Sequence, residues 1–131
     1  MKFKGFNIIL KEIIPPFKKT IEVDPDKSIS IRSFLIGSLG NDISYAKNVL
    51  ESEDVKSTIS CLKKLGVKIK KSGKRDYLIF GKGLGSLFVK KNATLNFGNS
   101  GTLARLLIGI LTTTPNIQVK ITGDHSLNKR N

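Results

Sequence analysis

The sequence predicts an α/β fold, because β-prone segments alternate with segments of helical periodicity along most of its 131 residues. Apolar residues make up 39% of the chain and charged residues 25%, a balance that allows a buried core and disfavours disorder, collagen-like repeats and coiled coil. This length suits one ordinary domain or part of a larger enzyme. Two complete domains with a cleft between them would need a longer chain.

The first predicted elements are short and extended. Residues Phe6 to Ile14 are β-prone, and Pro15-Pro16 ends them before a second extended run, Thr20 to Val23. A short helix is predicted from Ser30 to Leu39, where apolar residues recur at helical spacing after a polar loop. The segment Ile43 to Leu50 is the next predicted strand.

The best-defined element is a helix that follows Ser52, its expected N-cap, with acidic residues including Asp54 where the helix dipole favours them. Its apolar stripe runs to Leu65, and Gly66 is the expected C-cap. Two strands are predicted next, Val67 to Ile69 and Tyr77 to Phe80.

The second half of the chain repeats this alternation. Leu87 to Val89 and Ala93 to Phe97 are predicted strands, and a glycine-rich turn then opens an amphipathic helix from Leu103 to Leu111. Ile117 to Thr122 alternates like a strand, and Gly123 to Asn131 reads as a polar tail. The alternation therefore predicts an internal α/β repeat.

Charge is the strongest compositional signal. The chain has 23 basic and 10 acidic residues, a net charge of +13, which suggests nucleic acid, phosphate or a membrane surface as partner. Only four of the basic residues are arginines, whose planar side chain suits bidentate binding of phosphate or carboxylate. Recognition is therefore expected at the arginines, which are Arg32, Arg75, Arg105 and Arg130.

Cysteine usage and hydropathy indicate a cytoplasmic protein. Cys61 is the single cysteine, which excludes an intrachain disulfide, and its place beside an apolar stripe predicts a packed thiol. The first apolar run is interrupted by Lys11-Glu12, unlike a secretory signal. The stretch from Leu106 to Val119 is too short and too polar to span a bilayer.

The first candidate site is the polar segment Asp24 to Arg32. Backbone N–H groups at a helix start, together with Lys27, Ser28 and Arg32, would form a phosphate site. An ordinary capped helix with solvated basic side chains explains the same segment, and spacing alone favours that simpler interpretation.

The second candidate site is the turn Gly98 to Thr102, with Arg105 one helical turn further on. Its glycines permit close backbone approach to an anion, although a tight strand-to-helix turn has the same requirement. The turn matches neither a Walker loop nor a dinucleotide-binding pattern.

The third candidate site is the segment Gly123 to Arg130, which by itself resembles a solvated loop. His125 has no second histidine and no cysteine nearby, so we expect no metal or triad role for it.

Together the three segments resemble motifs of one family, the 3-phosphoshikimate 1-carboxyvinyltransferases or 5-enolpyruvylshikimate-3-phosphate synthases. The family's Asp-Lys-Ser-x-Ser-x-Arg is similar to Asp26 to Arg32, its Gly-Asn-Ala/Ser-Gly-Thr-x-x-Arg to Gly98 to Arg105, and its Gly-Asp-x-Ser-Leu-x-Lys-Arg to Gly123 to Arg130. Leu50 to Val55 also resembles the family's Leu-x-Ser-x-Asp-Val. Three motifs in the right order are far more specific than one, and the resemblance covers residues 20 to 131.

The resemblance implies an activity in chorismate and aromatic amino acid biosynthesis. Such enzymes transfer the enolpyruvyl group of phosphoenolpyruvate to the 5-hydroxyl of shikimate 3-phosphate and release phosphate, without a metal or organic cofactor. Lys27 would be catalytic and would contact both substrates. The remaining implied roles fall to Ser28 and Arg32 for shikimate 3-phosphate, Gly101 and Arg130 for phosphoenolpyruvate, and Asn99 and Arg105 in support.

The family fold consists of two domains built from repeated βαβαββ units, and the resemblance implies that only the N-terminal part is present here. Residues 1–19 would form a strand segment that pairs with the missing second domain. Residues 20–131 would be an incomplete N-terminal domain, with a first unit at 20–85 and part of a second at 86–131. We therefore expect a fragment, inactive alone because the catalytic carboxylates lie in the second domain, of an enzyme that is monomeric at full length.

Three departures from the family pattern and two alternatives accompany this interpretation. Prolines or glycines usual in the family are replaced at Asp24-Pro25, Leu106 and Asn131, and none of these departures removes a side chain for which the resemblance implies contact with a substrate. A basic nucleic-acid-binding module is the first alternative. It is opposed by the absence of Trp, by only two Tyr, by the lack of a strand with interleaved aromatic residues, and by lysines spread along the chain. The second is the sister UDP-N-acetylglucosamine enolpyruvyl transferase, whose reactive-cysteine loop is not visible.

Overall fold

The computed structural model describes residues 23–89 and 93–130, together with the single positions 9, 11, 18 and 20. Helices and strands alternate in these residues, as the sequence predicts. The elements are α1 (Lys27–Leu39), β1 (Ile43–Ala46), α2 (Glu53–Lys64), β2 (Lys68–Lys71), β3 (Tyr77–Phe80), β4 (Thr94–Asn96), α3 (Gly101–Leu111), β5 (Lys120–Thr122) and α4 (His125–Asn128).

Strands β1, β3 and β2 form an antiparallel sheet with β3 at its centre. Because β3 pairs antiparallel with both neighbours, β1 and β2 run parallel to each other and α2 makes the crossover between them. Strands β4 and β5 form a separate parallel pair, connected through α3. The two halves of the chain therefore share the strand–helix–strand plan that the sequence predicts.

One hydrophobic core joins these elements, because α1 contacts α2, α3 and the three-stranded sheet. Phe34 of α1 is fully buried and meets Tyr77 of β3 edge to face, with ring centroids 5.3 Å apart. Leu62 of α2, Ile79 of β3 and Leu103 of α3 belong to the same buried cluster. Helix positions, and hence the positions of the helix N-termini, are fixed by this shared core.

Each helix begins at a side chain that caps it. Asp26, Ser52, Ser100 and Asp124 each accept a hydrogen bond from the backbone N–H three residues further on. The prediction of Ser52 as a cap is confirmed. The prediction that α1 begins at Ser30 is wrong by three residues, because the cap at Asp26 starts the helix at Lys27.

Several predicted boundaries differ from the structure. The strand predicted at Ile43 to Leu50 ends at Ala46, because the chain turns at Asn48, whose φ is +51°. The helix cap predicted at Gly66 is Leu65, and Gly66 follows it with a φ of +84°, as is usual for glycine just after a helix.

Further differences lie in the second half. Leu87 to Val89 is not a strand. The Phe88 N–H donates a hydrogen bond to the Leu65 carbonyl, but the segment forms no ladder of such bonds with another strand of the described residues. The strand predicted from Ile117 begins only at Lys120. The polar tail contains α4, which the sequence analysis did not predict.

The predicted N-terminal strand, Phe6 to Ile14, and the run Thr20 to Val23 lie outside the described residues, apart from isolated positions. None of the helices within residues 23–89 and 93–130 is long and apolar enough to cross a membrane.

Candidate anion-binding site

The first side of the site is the start of α1. Lys27 is the first residue of the helix, and its Nζ lies 2.9 Å from the Oδ2 of Asp54 in the first turn of α2. The Asp54 side chain is 17% exposed and the Lys27 side chain 49%. The partly buried carboxylate therefore holds the lysine ammonium where the starts of α1 and α2 meet.

The second side is the turn between β4 and α3. Gly98 has a φ of +56°, which favours glycine, and its N–H donates to the Oδ1 of Asn96 at 2.9 Å. Ser100 then caps α3, and Gly101 is the first residue of that helix. The first backbone N–H groups of α3 have no acceptor within the helix, which makes the start of α3 suitable for binding a small anion.

The third side is Arg130, which follows α4. The Asp124 N–H donates to the Gly98 carbonyl at 2.8 Å, and this bond joins the third predicted segment to the second. Arg130 Nη2 donates to Asn99 Oδ1 at 2.6 Å. A Cβ placed on Gly101 would lie 3.0 Å from Arg130 Nη1, so the guanidinium lies directly across the start of α3.

These three sides enclose a polar hollow of about 250 Å³. Its lining contains three basic side chains and one carboxylate among mostly polar surface. The lining residues are Lys27, Asp54, Asn99, Gly101, Thr102, Arg105 and Arg130. Such a concentration of cations beside a helix start suits a small, multiply charged anion such as a phosphate ester.

Known proteins share this arrangement of segments. A sequence profile of the EPSP synthase (3-phosphoshikimate 1-carboxyvinyltransferase) family matches residues 11–130. The chain belongs to the EPSP synthase family. The 3-phosphoshikimate 1-carboxyvinyltransferases of Bacillus cytotoxicus and Zymomonas mobilis are similar to it, with 46% identity over 111 residues and 40% over 116 residues.

A solved structure supports the same assignment. The EPSP synthase from Acinetobacter baumannii superposes with a TM-score of 0.76 at 35% identity over 84% of this chain, and the match covers 24% of that protein. The chain covers 26% and 25% of the two sequence relatives. It therefore corresponds to the N-terminal portion of the family and spans about a quarter of the length of these relatives.

The hollow brings together most of the residues for which the EPSP synthase resemblance implies a role. Those in its lining are Lys27, Asn99, Gly101, Arg105 and Arg130. Ser28 and Arg32 do not line it. They lie four positions apart on α1, with Ser28 half-buried and Arg32 exposed, so they share a helix face.

Two lining residues, Asp54 and Thr102, were given no individual role in the site by the sequence, although Thr102 ends the turn predicted as the second candidate site. Sequence reasoning assigned Asp54 only to the helix dipole, although it lies in the Leu50 to Val55 stretch that resembles the family. That membership was the available signal for Asp54. For Thr102 the signal was its place in the Gly98 to Arg105 motif.

Cys61 and Leu106, which also figured in the sequence predictions, do not line the hollow. Cys61 is buried, as predicted, and its thiol donates to the Asn96 carbonyl at 3.3 Å. Desolvation raises the pKa of Cys61 to about 11, so the thiol is protonated and unreactive at neutral pH. Leu106, one of the departures from the EPSP synthase pattern, is 39% exposed.

Proposed function

We propose that the protein represented by this chain transfers the enolpyruvyl group of phosphoenolpyruvate to the 5-hydroxyl of shikimate 3-phosphate, as its relatives' name implies. The observation that carries the proposal is the polar hollow, where Lys27, Arg105 and Arg130 meet at the start of α3. Both substrates are multiply anionic. A hollow with this charge offsets their desolvation and their mutual repulsion.

Within this proposal the residues divide by substrate. Lys27 contacts both substrates and is the catalytic residue of this chain, while Ser28 and Arg32 hold shikimate 3-phosphate. Gly101 and Arg130 hold phosphoenolpyruvate. Two observations support this division. Ser28 and Arg32 share one face of α1, and the guanidinium of Arg130 lies directly beside Gly101.

The supporting residues act through these contacts. Asn99 accepts a hydrogen bond from Arg130 and so limits the orientations of the guanidinium. Arg105, on the exposed side of α3, adds positive charge without a direct contact to the reacting atoms. Asp54 holds Lys27 in the same way, and its negative charge is outweighed by the three cations.

The reaction then proceeds by protonation of C3 of phosphoenolpyruvate while the 5-hydroxyl adds at C2 and loses its proton. The tetrahedral intermediate loses phosphate and a C3 proton, which restores the double bond. General acid and base groups are required. We assign them to a second domain, and residues 20–131 to the incomplete first domain of a cytoplasmic enzyme that is monomeric at full length. Residues 1–19 are then the strand segment that pairs with the second domain.

Calorimetric titration of shikimate 3-phosphate into the full 131-residue chain tests the proposal. We expect saturable binding, and Lys27→Ala should weaken it about ten-fold or more, since a hydrogen bond to a charged group contributes about 1.5–3 kcal/mol. Lys63→Ala is the matched control, because it removes the same charge from the exposed, C-terminal end of α2. Absence of binding by the unmodified chain, or equal weakening by both variants, would contradict the assignment.

A further inference from the structure

The three-stranded sheet has an inner face and an outer face of different composition. Side chains alternate along each strand, and Ile69 and Ile79 point into the core. Their sequence neighbours therefore point outward. In the register of the sheet these form two rows, Ile43–Phe80–Lys68 and Tyr45–Leu78–Lys70.

This outer sheet face combines exposed apolar side chains with lysines. Tyr45 is 70% exposed and Ile43 41% exposed, although both lie on a regular strand. Phe80 is half-buried, and the Nζ of Lys68 lies 4.8 Å from the centre of its ring. Tyr45 and Phe80 are diagonal neighbours on adjacent strands, a spacing that aromatic side chains can bridge.

The surrounding charge is almost entirely positive. Residues 43–47 and 68–82 together contain seven basic residues and one acidic residue. Lys71 points to the inner side and pairs with Glu51 at 2.5 Å. By contrast, no carboxylate within the described ranges lies within 4.0 Å of the ammonium groups of Lys68 or Lys70. These two lysines are available to an external anion.

We propose that the outer sheet face binds single-stranded nucleic acid. Bases stack on Tyr45, while phosphates contact Lys70 and Lys68, whose ammonium group already lies over the Phe80 ring. Proteins that bind single strands without sequence preference combine these same two features, aromatic side chains for the bases and a basic surface for the backbone. A flat aromatic surface gives no comparable advantage with an acidic peptide.

The sequence argument against nucleic acid looked for aromatic residues interleaved along one strand. The structure forms the aromatic surface differently, from one residue on β1 and one on β3. The proposal does not depend on the enolpyruvyl transfer activity, because the outer sheet face shares no residue with the polar hollow.

The proposal is tested by fluorescence anisotropy of a labelled oligodeoxythymidylate about twelve nucleotides long, a length within the range of known single-strand sites. With the full chain we expect salt-dependent binding. Tyr45→Ala should weaken it about ten-fold, because base stacking contributes about 1–3 kcal/mol, and Tyr45→Phe should retain most of the affinity. An oligouridylate of equal length shows whether RNA or DNA is preferred, and tight binding of either supports the proposal.

A charge-matched pair of double variants separates specific phosphate contacts from net charge. Lys68→Glu/Lys70→Glu should lower the slope of log affinity against log salt by about 1.4, because two phosphate contacts to a single strand are lost. Lys63→Glu/Lys120→Glu changes net charge equally at exposed positions outside the outer sheet face and should leave most of the slope intact. Far-UV circular dichroism establishes that all variants are folded.

Four results would overturn the proposal. The first is an equal loss of affinity in the two double variants, which would show that only net charge matters. The second is equally tight binding of a duplex of the same length, whose base faces are hidden. The third is an unchanged affinity for the oligonucleotide in Tyr45→Ala. The fourth is complete competition by anionic phospholipid vesicles, if Tyr45→Ala binds those vesicles as tightly as the unmodified chain does.

Discussion

Helices α1 and α2 pack against each other in the same core but differ in how their apolar residues are arranged. Helix α2 has one buried stripe that includes Val55 and Leu62, and its opposite side is polar. Helix α1 buries Ile31 and Phe34 and also presents Ile29 and Ile36 outward, where they are 65% and 70% exposed.

The difference indicates two environments. A helix with a single apolar stripe is typical of the surface of a globular protein, whereas a helix that is apolar on several sides is typical of an interior position. In the described residues only one side of α1 is covered. The same helix supplies Lys27, so the element that carries the candidate site is also the one with the larger uncovered apolar area.

The largest effect should come from the buried side of α1. Phe34→Ala removes a fully buried ring that contacts Tyr77, and we expect the free energy of unfolding to fall by about 3–5 kcal/mol. Ile36→Ala, on the exposed side, should change it by less than about 0.5 kcal/mol. Urea unfolding measures both, and similar values for the two variants would show that α1 is not divided into two sides.

An intermediate effect should come from alkaline pH, through the buried stripe of α2 and the sheet behind it. Desolvation raises the pKa of Cys61 from 9.0 to about 11. Desolvation, and then the hydrogen bond to Glu51, raise the pKa of Tyr77 from 10.0 to about 12. The fold favours the neutral form of each group. Its contribution to stability is therefore complete below the pKa of the group in the unfolded chain, and it is lost as pH rises through the pKa of the group in the folded protein.

The free energy of unfolding should therefore decline above pH 9, by up to about 1.4 kcal/mol per pH unit for each group. Cys61→Ala should flatten the decline between pH 9 and 10, and Tyr77→Phe should flatten it above pH 10. The two variants differ from the unmodified protein only at Cys61 or Tyr77, so differences between the three curves report on these two groups. A curve for Cys61→Ala that runs parallel to the unmodified one between pH 9 and 10 would refute the role of the thiol.

Local signals made much of the fold predictable. The cap at Ser52, the glycine-rich turn before α3 and the apolar periodicity of both helices are all encoded in consecutive residues, so the sequence located α2 and α3 closely. A strand needs a partner that lies elsewhere in the chain. Leu87 to Val89 has strand-forming residues, but in the described residues it has no neighbouring strand, and its Phe88 N–H bonds to the Leu65 carbonyl at the end of α2. No pattern within the segment itself reveals that a partner strand is missing.

The candidate site shows the same division. Lys27, Gly101 and Arg130 were predictable because they stand within motifs of fixed spacing. The pairing of Lys27 with Asp54 was not, because it depends on how α1 packs against α2. The outer sheet face depends in the same way on strand register, which brings Tyr45 beside Phe80 from positions far apart in the chain.

The smallest effect on stability should come from the exposed side of α1. Ile29→Lys/Ile36→Lys removes two exposed apolar side chains without touching the buried ones, so the free energy of unfolding should change by less than about 1 kcal/mol in total. Its effect on solubility should be larger, because contiguous apolar surface drives association. Light scattering against protein concentration should show aggregation beginning at a several-fold higher concentration.

Added charge alone also raises solubility, so the comparison needs a control of equal charge. Ser60→Lys/Gln118→Lys adds two positive charges at exposed polar positions and removes no apolar surface. If that control delays aggregation as much as the isoleucine variant, charge explains the result and the apolar side of α1 is of no consequence for association. If the isoleucine variant instead loses several kcal/mol of stability, these side chains belong to the core, and the contrast between α1 and α2 disappears.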